Sequence, residues 1–250
     1  MADDEYLDAV DYTRDDLDVE DFKNIKFAVK LHEVDRVYKA GRKEIQALKN
    51  VNLEVKLGDF VVVAGHSGSG KTTLLNIIGS IDLSTSGRVH IMDVPINDYD
   101  EGFRSSFRLS NTGFIFQSYN LVSTLTAEEN VLFPMQLSDR SQSKLREEAT
   151  ALLERVKMDH RADHLPWQLS SGEQQRVAIA RAMANDPPII LADEPTANLD
   201  GDSGQMVRDL LIELNGMGKA VIVMTHDQGI IQHSGIRRFK MDAGELSEDV

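Results

Sequence analysis

The sequence has no cysteine among its 250 residues. Disulfide bonds, zinc–thiolate sites, iron–sulfur clusters and a thiol nucleophile are therefore excluded. No apolar run approaches the ~18 residues that a membrane-spanning helix requires. The N-terminus also lacks the basic region and apolar core of a secretory signal. We therefore expect a soluble chain whose role at a membrane, if it has one, depends on a partner.

Basic residues are few, with 27 Lys and Arg against 41 Asp and Glu, giving a net charge of −14. Without a basic stripe to displace phosphate counterions, the chain is not expected to bind nucleic acid. Ten of the acids and only one base, Arg14, fall in residues 1–21. Residues 1–24 are thus predicted to form a solvated, disordered tail. The alternative is an acidic-hydrophobic segment that folds on a partner.

The length of the chain and its 41% of hydrophobic residues allow one large folded domain or two small ones, with a substantial core. From residue 25 onwards short β-rich runs alternate with helical stretches, which predicts an α/β domain. Strands are expected at Val51–Val55, Phe60–Ala64, Gly113–Phe116, Ile189–Ala192 and Ala220–Met224. Between Gln117 and Gln168 the strand signal stops. There Thr126 with Glu129 resembles a capping box, and Ser141–Lys157 has helical periodicity, so a helical insertion is predicted.

A phosphate loop is the strongest chemical signal. Residues 65–73 (GHSGSGKTT) match G-x-x-x-x-G-K-[ST] between a buried strand and a helix expected from Lys71 to about Gly79. Backbone N–H groups of such a loop, and the start of the helix, bind phosphate oxygens. Lys71 would reach the β- and γ-phosphates, and Thr72 would ligate Mg²⁺. His66 is expected on the outer side of the loop, where its side chain is tolerated and has no catalytic role. The expected nucleotide-binding residues are Gly65, His66, Ser67, Gly68, Ser69, Gly70, Lys71, Thr72 and Thr73.

Two adjacent carboxylates, Asp193 and Glu194, follow the apolar run at 189–192. Asp193 is expected to hold Mg²⁺ through water, and Glu194 to act as general base on the attacking water. No N-K-x-D element occurs, so a guanine-specific protein is not indicated.

The segment 169–182 (LSSGEQQRVAIARA) resembles the signature of the ATP-binding-cassette (ABC) family, which begins L-S-G-G-Q or L-S-G-G-E. Ser170 is expected to cap a helix and Gly172 to leave its N-terminus open as a second anion site. The resemblance implies that two cassettes pack head to tail, with each ATP between one phosphate loop and the partner's signature. Ser170, Ser171, Gly172 and Glu173 would then contact nucleotide in trans. Ser171 stands where the family usually has glycine, and we expect this departure to be harmless.

Further positions match the ABC pattern in order. By resemblance, Tyr38 would stack on adenine, Gln117 would contact Mg²⁺ and the attacking water, Asp200 would lie in the loop that communicates across the dimer, and His226 would contact the γ-phosphate. The implied catalytic residues are Lys71, Gln117, Glu194 and His226, with Thr72, Gln117 and Asp193 around the metal. The implied fold is a P-loop NTPase core with a mixed sheet, an antiparallel β subdomain and a helical subdomain at about 118–168, within an ABC domain at 25–246.

Residues 76–87 and 113–130 are most similar to the MacB and lipoprotein-releasing LolD branch of the family. This implies an ATP-dependent homodimer bound to a transmembrane permease of the MacB/LolC type at the cytoplasmic face of the membrane. The expected coupling surface follows Gln117, with Tyr119, Leu121, Leu125 and Phe133 as candidates, although a plain helical core would also explain the last two. The alternative function is an ATP-gated clamp that activates a membrane or envelope partner without transport.

Overall fold

The computed structural model describes residues 25–41, 43–138 and 144–249, so the tail expected at 1–24 lies outside it. Ten strands and seven α-helices are formed by these residues. In chain order they are β1 (Val29–Ala40), β2 (Lys43–Val55), β3 (Phe60–Ala64), α1 (Lys71–Ile78), β4 (Ser86–Ile91), β5 (Val94–Pro95), α2 (Glu101–Asn111), β6 (Thr112–Ile115), α3 (Ala127–Gln136), α4 (Leu145–Arg155), α5 (Ser171–Ala182), β7 (Ile189–Asp193), α6 (Gly201–Gly216), β8 (Ala220–Met224), α7 (Gln228–Ile231), β9 (Arg237–Asp242) and β10 (Glu245–Asp249).

A six-stranded mixed sheet forms the centre, in the order β10-β9-β3-β8-β7-β6. Strands β9, β3, β8, β7 and β6 run parallel, and β10 returns antiparallel to β9. The interior strands are continuously apolar and buried, as expected where helices cover both faces of a parallel sheet. Their carboxyl ends therefore meet at one edge, where ligands bind in open α/β sheets.

A second sheet, β2-β1-β4-β5, is antiparallel throughout. Residues 51–55 alternate between buried and exposed in β2, which confirms the half-exposed strand expected there. Together the mixed sheet, its helices and this antiparallel layer confirm the predicted α/β fold class.

Helices replace strands between β6 and α5 in the part of the chain that the structure describes. Helix α3 begins with the expected capping box between Thr126 and Glu129. Helix α4 spans Leu145–Arg155, and residues 141–143 of the helix expected at Ser141–Lys157 lie outside the described residues. Both helices pack on α5 through one apolar core that also contains Ile115 and Val177. Within the described ranges, no helix has the length and apolarity needed to cross a membrane.

Candidate nucleotide site

Six segments of the chain line a cavity of about 720 Å³ at the carboxyl edge of the mixed sheet. These segments are the loop after β3 with the first turn of α1, the ends of β6, β7 and β8, part of β2, and the β9–β10 turn. The sequence-predicted residues that line the cavity are Gly65, His66, Ser67, Gly68, Gly70, Lys71, Thr72, Thr73, Gln117, Asp193, Glu194 and His226. Ser69 is buried and does not line it. Gln117 lies two residues beyond the end of β6 rather than at the end of the strand.

The phosphate loop is shaped by glycine at the start of α1. Gly70 has φ of 114°, a backbone conformation that residues with a Cβ rarely adopt. A Cβ at this position would also lie 2.6 Å from the Ala47 carbonyl oxygen. Helix α1 has no side-chain cap and no acidic residue in its first turn. Its first N–H groups and the positive end of its dipole are therefore available to an anion in the cavity.

Lys71 is buried at the floor of this cavity. Its Nζ donates to the carbonyl oxygens of Gly65 at 2.7 Å and His66 at 3.2 Å, and lies 3.8 Å from Glu194 Oε1. The loop's own carbonyl groups thus hold the ammonium group beside the helix start, where it adds positive charge to the same anion site.

Thr72 and Asp193 join α1 to β7 across the cavity, since the Thr72 hydroxyl donates to Asp193 Oδ2 at 2.8 Å. Burial raises the pKa of Asp193, and the hydrogen bond from Thr72 opposes that shift. The described residues contain no cluster of three or more histidine or carboxylate ligands. Mg²⁺ is commonly held by one or two carboxylates together with substrate phosphates and water. The oxygen donors Thr72 and Asp193 fit that mode of binding.

Glu194 follows β7 in a left-handed conformation, with φ of 46°. Its backbone N–H donates to Met224 O at 2.8 Å, and its carboxylate Oε2 lies 2.9 Å from His226 Nδ1. Non-glycine residues in this region of backbone space are strained, and such strain is found at functional sites. The neighbouring strands β7 and β8 therefore place a half-buried carboxylate beside an exposed imidazole in the lining of the cavity.

A family model described as "ABC transporter" matches residues 48–197. The chain belongs to the ABC transporter family. An ABC transporter ATP-binding protein of Methanocaldococcus jannaschii, MJ0796, is 46% identical over 226 residues, which cover 88% of this chain and 96% of that protein. A solved dimer of that cassette in a post-hydrolysis state with ADP and Pi has a TM-score of 0.83, and covers 88% of this chain and 97% of its own.

The macrolide export ATP-binding/permease protein MacB of Mannheimia succiniciproducens is 42% identical over 221 residues. The match covers 88% of this chain but 34% of MacB. The chain is thus the ATP-binding, ATP-hydrolysing cassette of a transporter, as its signature indicated. These similarities favour this function over the clamp or regulator.

The signature of the cassette lies outside its own nucleotide cavity, since residues 170–173 do not line it. Ser170 caps α5, and its Oγ accepts from the Glu173 N–H at 3.3 Å. Glu173 Oε2 in turn accepts from the Ser170 N–H at 2.8 Å, completing a capping box that the sequence interpretation had not assigned. The N-terminus expected to stay open at Gly172 is thus partly satisfied within the chain. The S-x-x-E spacing was the signal for it.

Glu173 carries its charge at the first turn of α5. The Ser170 backbone N–H is the largest cause that lowers its pKa, and Arg161, whose Nε lies 3.3 Å from Glu173 Oε1, also lowers it. Gly172 is buried against α6, and a Cβ there would overlap the Ser203 side chain. Close packing of two helices therefore requires this glycine in the cassette itself.

Tyr38 does not line the cavity. Its hydroxyl donates to Asp82 Oδ2 at 2.7 Å, and the Arg36 guanidinium lies 4.4 Å from its ring centroid. Its partner across the strand pair, Ile45, does line the cavity and is 57% exposed. Adenine stacking by Tyr38 therefore stays a prediction. No motif marked the other cavity residues from β2 and the β9–β10 turn, which are Ile45, Gln46, Ala47, Lys49, Ala243 and Gly244.

Asp200 lies on the other side of Glu194, in a smaller cavity of about 320 Å³ that both residues share with His226. It caps α6 by accepting from the Ser203 N–H at 2.8 Å. In the same cavity Asp227 Oδ2 accepts from Thr196 at 2.7 Å and from Arg208 at 2.9 Å. The loop that carries His226 is thereby tied to the loop that follows Glu194.

An apolar groove of about 560 Å³ lies between the helical segment and β6. Of the four residues expected at a coupling surface, only Phe133 lines it, and that ring is 48% exposed. Leu137 adds a second exposed apolar side chain. Tyr119, Leu121 and Leu125 are half-buried outside the lining. A core role for Phe133, one of the two explanations kept open, does not fit this exposure.

Proposed function

We propose that the cassette works as an ATP-dependent homodimer that drives a transmembrane permease of the MacB/LolC type from the cytoplasmic face of the membrane. The proposal of a dimer rests on one observation, which is that the signature helix begins outside the nucleotide cavity of its own chain. A second copy would allow Ser170 and the residues around it to reach nucleotide held by the first. The dimeric form of the M. jannaschii cassette supports this arrangement.

Nucleotide binding would begin at the phosphate loop. The N–H groups at the start of α1 and the Lys71 ammonium would hold the β- and γ-phosphates, because both present positive charge in one cavity. Thr72, Asp193 and Gln117 would hold Mg²⁺, which would neutralise charge on the phosphate oxygens when bound. Tyr38 and Ile45 are paired on the adjoining strands β1 and β2, and the base would lie against them.

Hydrolysis would use Glu194 as general base. Its carboxylate would take a proton from water as the water oxygen attacks the γ-phosphorus, and ADP and inorganic phosphate would leave. His226 would hold Glu194 through their 2.9 Å contact and, on the same side of the cavity, face the γ-phosphate. Asp200 lines a cavity with Glu194 and His226, so its loop would couple the binding of the partner cassette to these two side chains.

Replacing Glu194→Gln tests the proposed mechanism. The amide keeps the size of the side chain but cannot accept the proton, so turnover should fall by at least about 100-fold while ATP binding persists. Light scattering should show a dimer with MgATP and a monomer without nucleotide. A variant that hydrolyses ATP at the normal rate would contradict the role of Glu194. A monomer at saturating MgATP would contradict the dimer.

Permease docking is proposed at the apolar groove, where Phe133 and Leu137 are exposed. MacB is named as an ATP-binding and permease protein, which supports a membrane partner of that type. Phe133→Asp should reduce stimulation of ATPase activity by a MacB-type permease in lipid nanodiscs, because a charge would oppose apolar contact. Leu57→Asp, at an exposed apolar site outside the groove, is the matched control. Equal stimulation of both variants would place the docking surface elsewhere.

A further inference from the structure

Trp167 is the single tryptophan of the chain, and it is 74% exposed. No other large apolar side chain in the described ranges is as exposed. Tryptophan is usually buried over most of its surface, and exposed tryptophans are enriched at the centres of interfaces. It lies three positions before Ser170, the N-cap of the signature helix.

Local hydrogen bonds and buried residues hold the backbone of the segment that carries Trp167. The segment is a 3₁₀ turn, Pro166–Gln168. Its first residue, Pro166, is buried, and so is Leu169, which follows the turn. The Gln168 N–H donates to Leu165 O at 2.9 Å, and the Leu165 N–H donates to Gln168 Oε1 at 2.8 Å. Little backbone entropy remains to be lost when the indole binds, which favours a role as an interface anchor.

The position of Trp167 indicates a second copy of the chain as its partner. Three residues of backbone span at most about 10 Å. The Trp167 Cα therefore lies within about 10 Å of the Ser170 Cα, at the α5 N-terminus that the proposed dimer directs at the partner's nucleotide. Among the exposed large apolar side chains in the described part of the chain, Ile45 alone lines the nucleotide cavity. The proposed dimer would thus bring Trp167, near the signature of one copy, towards Ile45, in the lining of the other copy's cavity.

We propose that Trp167 anchors the cassette–cassette interface by packing on Ile45 of the partner subunit, at the rim of the partner's nucleotide cavity. Twofold symmetry makes this contact twice in each dimer. The inference rests on the proposed ATP-dependent homodimer, and adds to it an apolar contact that is independent of the phosphates.

The single tryptophan allows a direct test in the full-length Glu194→Gln protein. Light scattering and tryptophan emission are followed together as MgATP is added. A dimer with blue-shifted emission supports the inference, because the indole has left water. A dimer whose emission matches the monomer's overturns the inference and leaves the proposed function standing. A monomer throughout overturns both.

Substitutions then identify the contact partner. In the Glu194→Gln background, Trp167→Ser and Ile45→Ser should each weaken dimerisation by at least about tenfold, and the double variant should be little weaker than either. Trp167→Phe should recover part of the affinity, and Leu57→Ser, at an exposed site away from the cavity, should match the parent. Additive losses in the double variant would show that the two residues do not meet. Thermal melting of each variant separates misfolding from loss of contact.

Discussion

Helices α1 and α5 both begin at a segment of serine and glycine, and the proposed dimer brings both N-termini to one nucleotide. Helix α1 has a glycine N-cap, no side-chain cap and a lysine as its first residue. Helix α5 has a serine N-cap, a complete capping box and the charge of Glu173 in its first turn. The first backbone N–H groups of α1 are therefore available to bind an anion. The N-terminus of α5 is stable without one, as a surface that is exposed between catalytic cycles must be.

The largest effect is expected from Lys71→Ala, which removes the positive charge specific to the α1 site. The dissociation constant for ATP should rise by about 100-fold, on the order of 3 kcal/mol, because a charge-assisted contact to phosphate is lost. Isothermal titration calorimetry measures it, with the exposed Lys56→Ala as control. A change below about threefold would contradict the assignment of Lys71.

Substituting alanine for the glycine at the start of each helix should destabilise the protein more at α1 than at α5. Gly70→Ala requires a left-handed alanine and a backbone overlap with Ala47, so unfolding free energy should fall by about 3 kcal/mol. Gly172→Ala keeps an allowed backbone conformation but places a Cβ 2.8 Å from Ser203 Cβ, so α5 and α6 must move slightly apart, and it should cost about 2 kcal/mol. Thermal or denaturant unfolding gives both values. Equal losses would show that both helix starts are equally constrained.

Ser170→Ala should lower unfolding free energy by about 1 kcal/mol, because α5 loses the side-chain acceptor for the Glu173 N–H. That corresponds to a fall of about 2–4 °C in melting temperature for a domain of this size. Nothing comparable can be removed at α1, where the N-cap has no side chain. An unchanged melting temperature would mean that water replaces the cap without cost.

The smallest effect on the free energy of unfolding is expected from Glu173→Gln, and it should depend on pH. The pKa of Glu173 is lowered in the folded chain, so its charge stabilises the fold above the unfolded pKa of about 4.3, and this stabilisation is lost as pH falls through the folded pKa. The free energy of unfolding of the wild type should exceed that of the variant by about 0.5 kcal/mol at pH 7, and the difference should vanish once the pH is below the folded pKa of Glu173. A difference independent of pH would assign the effect to packing.

Glu173→Gln should also tighten the ATP-bound dimer in the Glu194→Gln background, since one negative charge leaves the surface that faces phosphate. An increase in affinity of about twofold to fivefold is expected from a screened charge of this kind. Light scattering at several ionic strengths measures it, and the gain should shrink with added salt. A weaker dimer would mean that the carboxylate itself holds the interface.

The residues that sequence motifs predicted well are those governed by local backbone rules. The phosphate loop needed glycine at fixed positions, Thr126 was placed as an N-cap by its spacing to Glu129, and Ser170 was placed as an N-cap by its position in the signature. Motif-free positions such as Ile45 and Leu137 were missed. Their roles depend on what the chain brings next to them, and neither spacing nor composition contains that information.

The sequence by itself determined that this protein has a phosphate-binding loop, a carboxylate pair after a buried strand and a capped signature helix, because each is written in consecutive residues. Only the tertiary structure decided that Glu194 meets His226, that Thr72 meets Asp193, and that the signature lies outside its own cavity. The physical reason is the strand order of the mixed sheet. Parallel pairing joins β3 to β8, which lie more than a hundred residues apart in the chain, and β8 to β7, through hydrogen bonds and burial that no local pattern specifies.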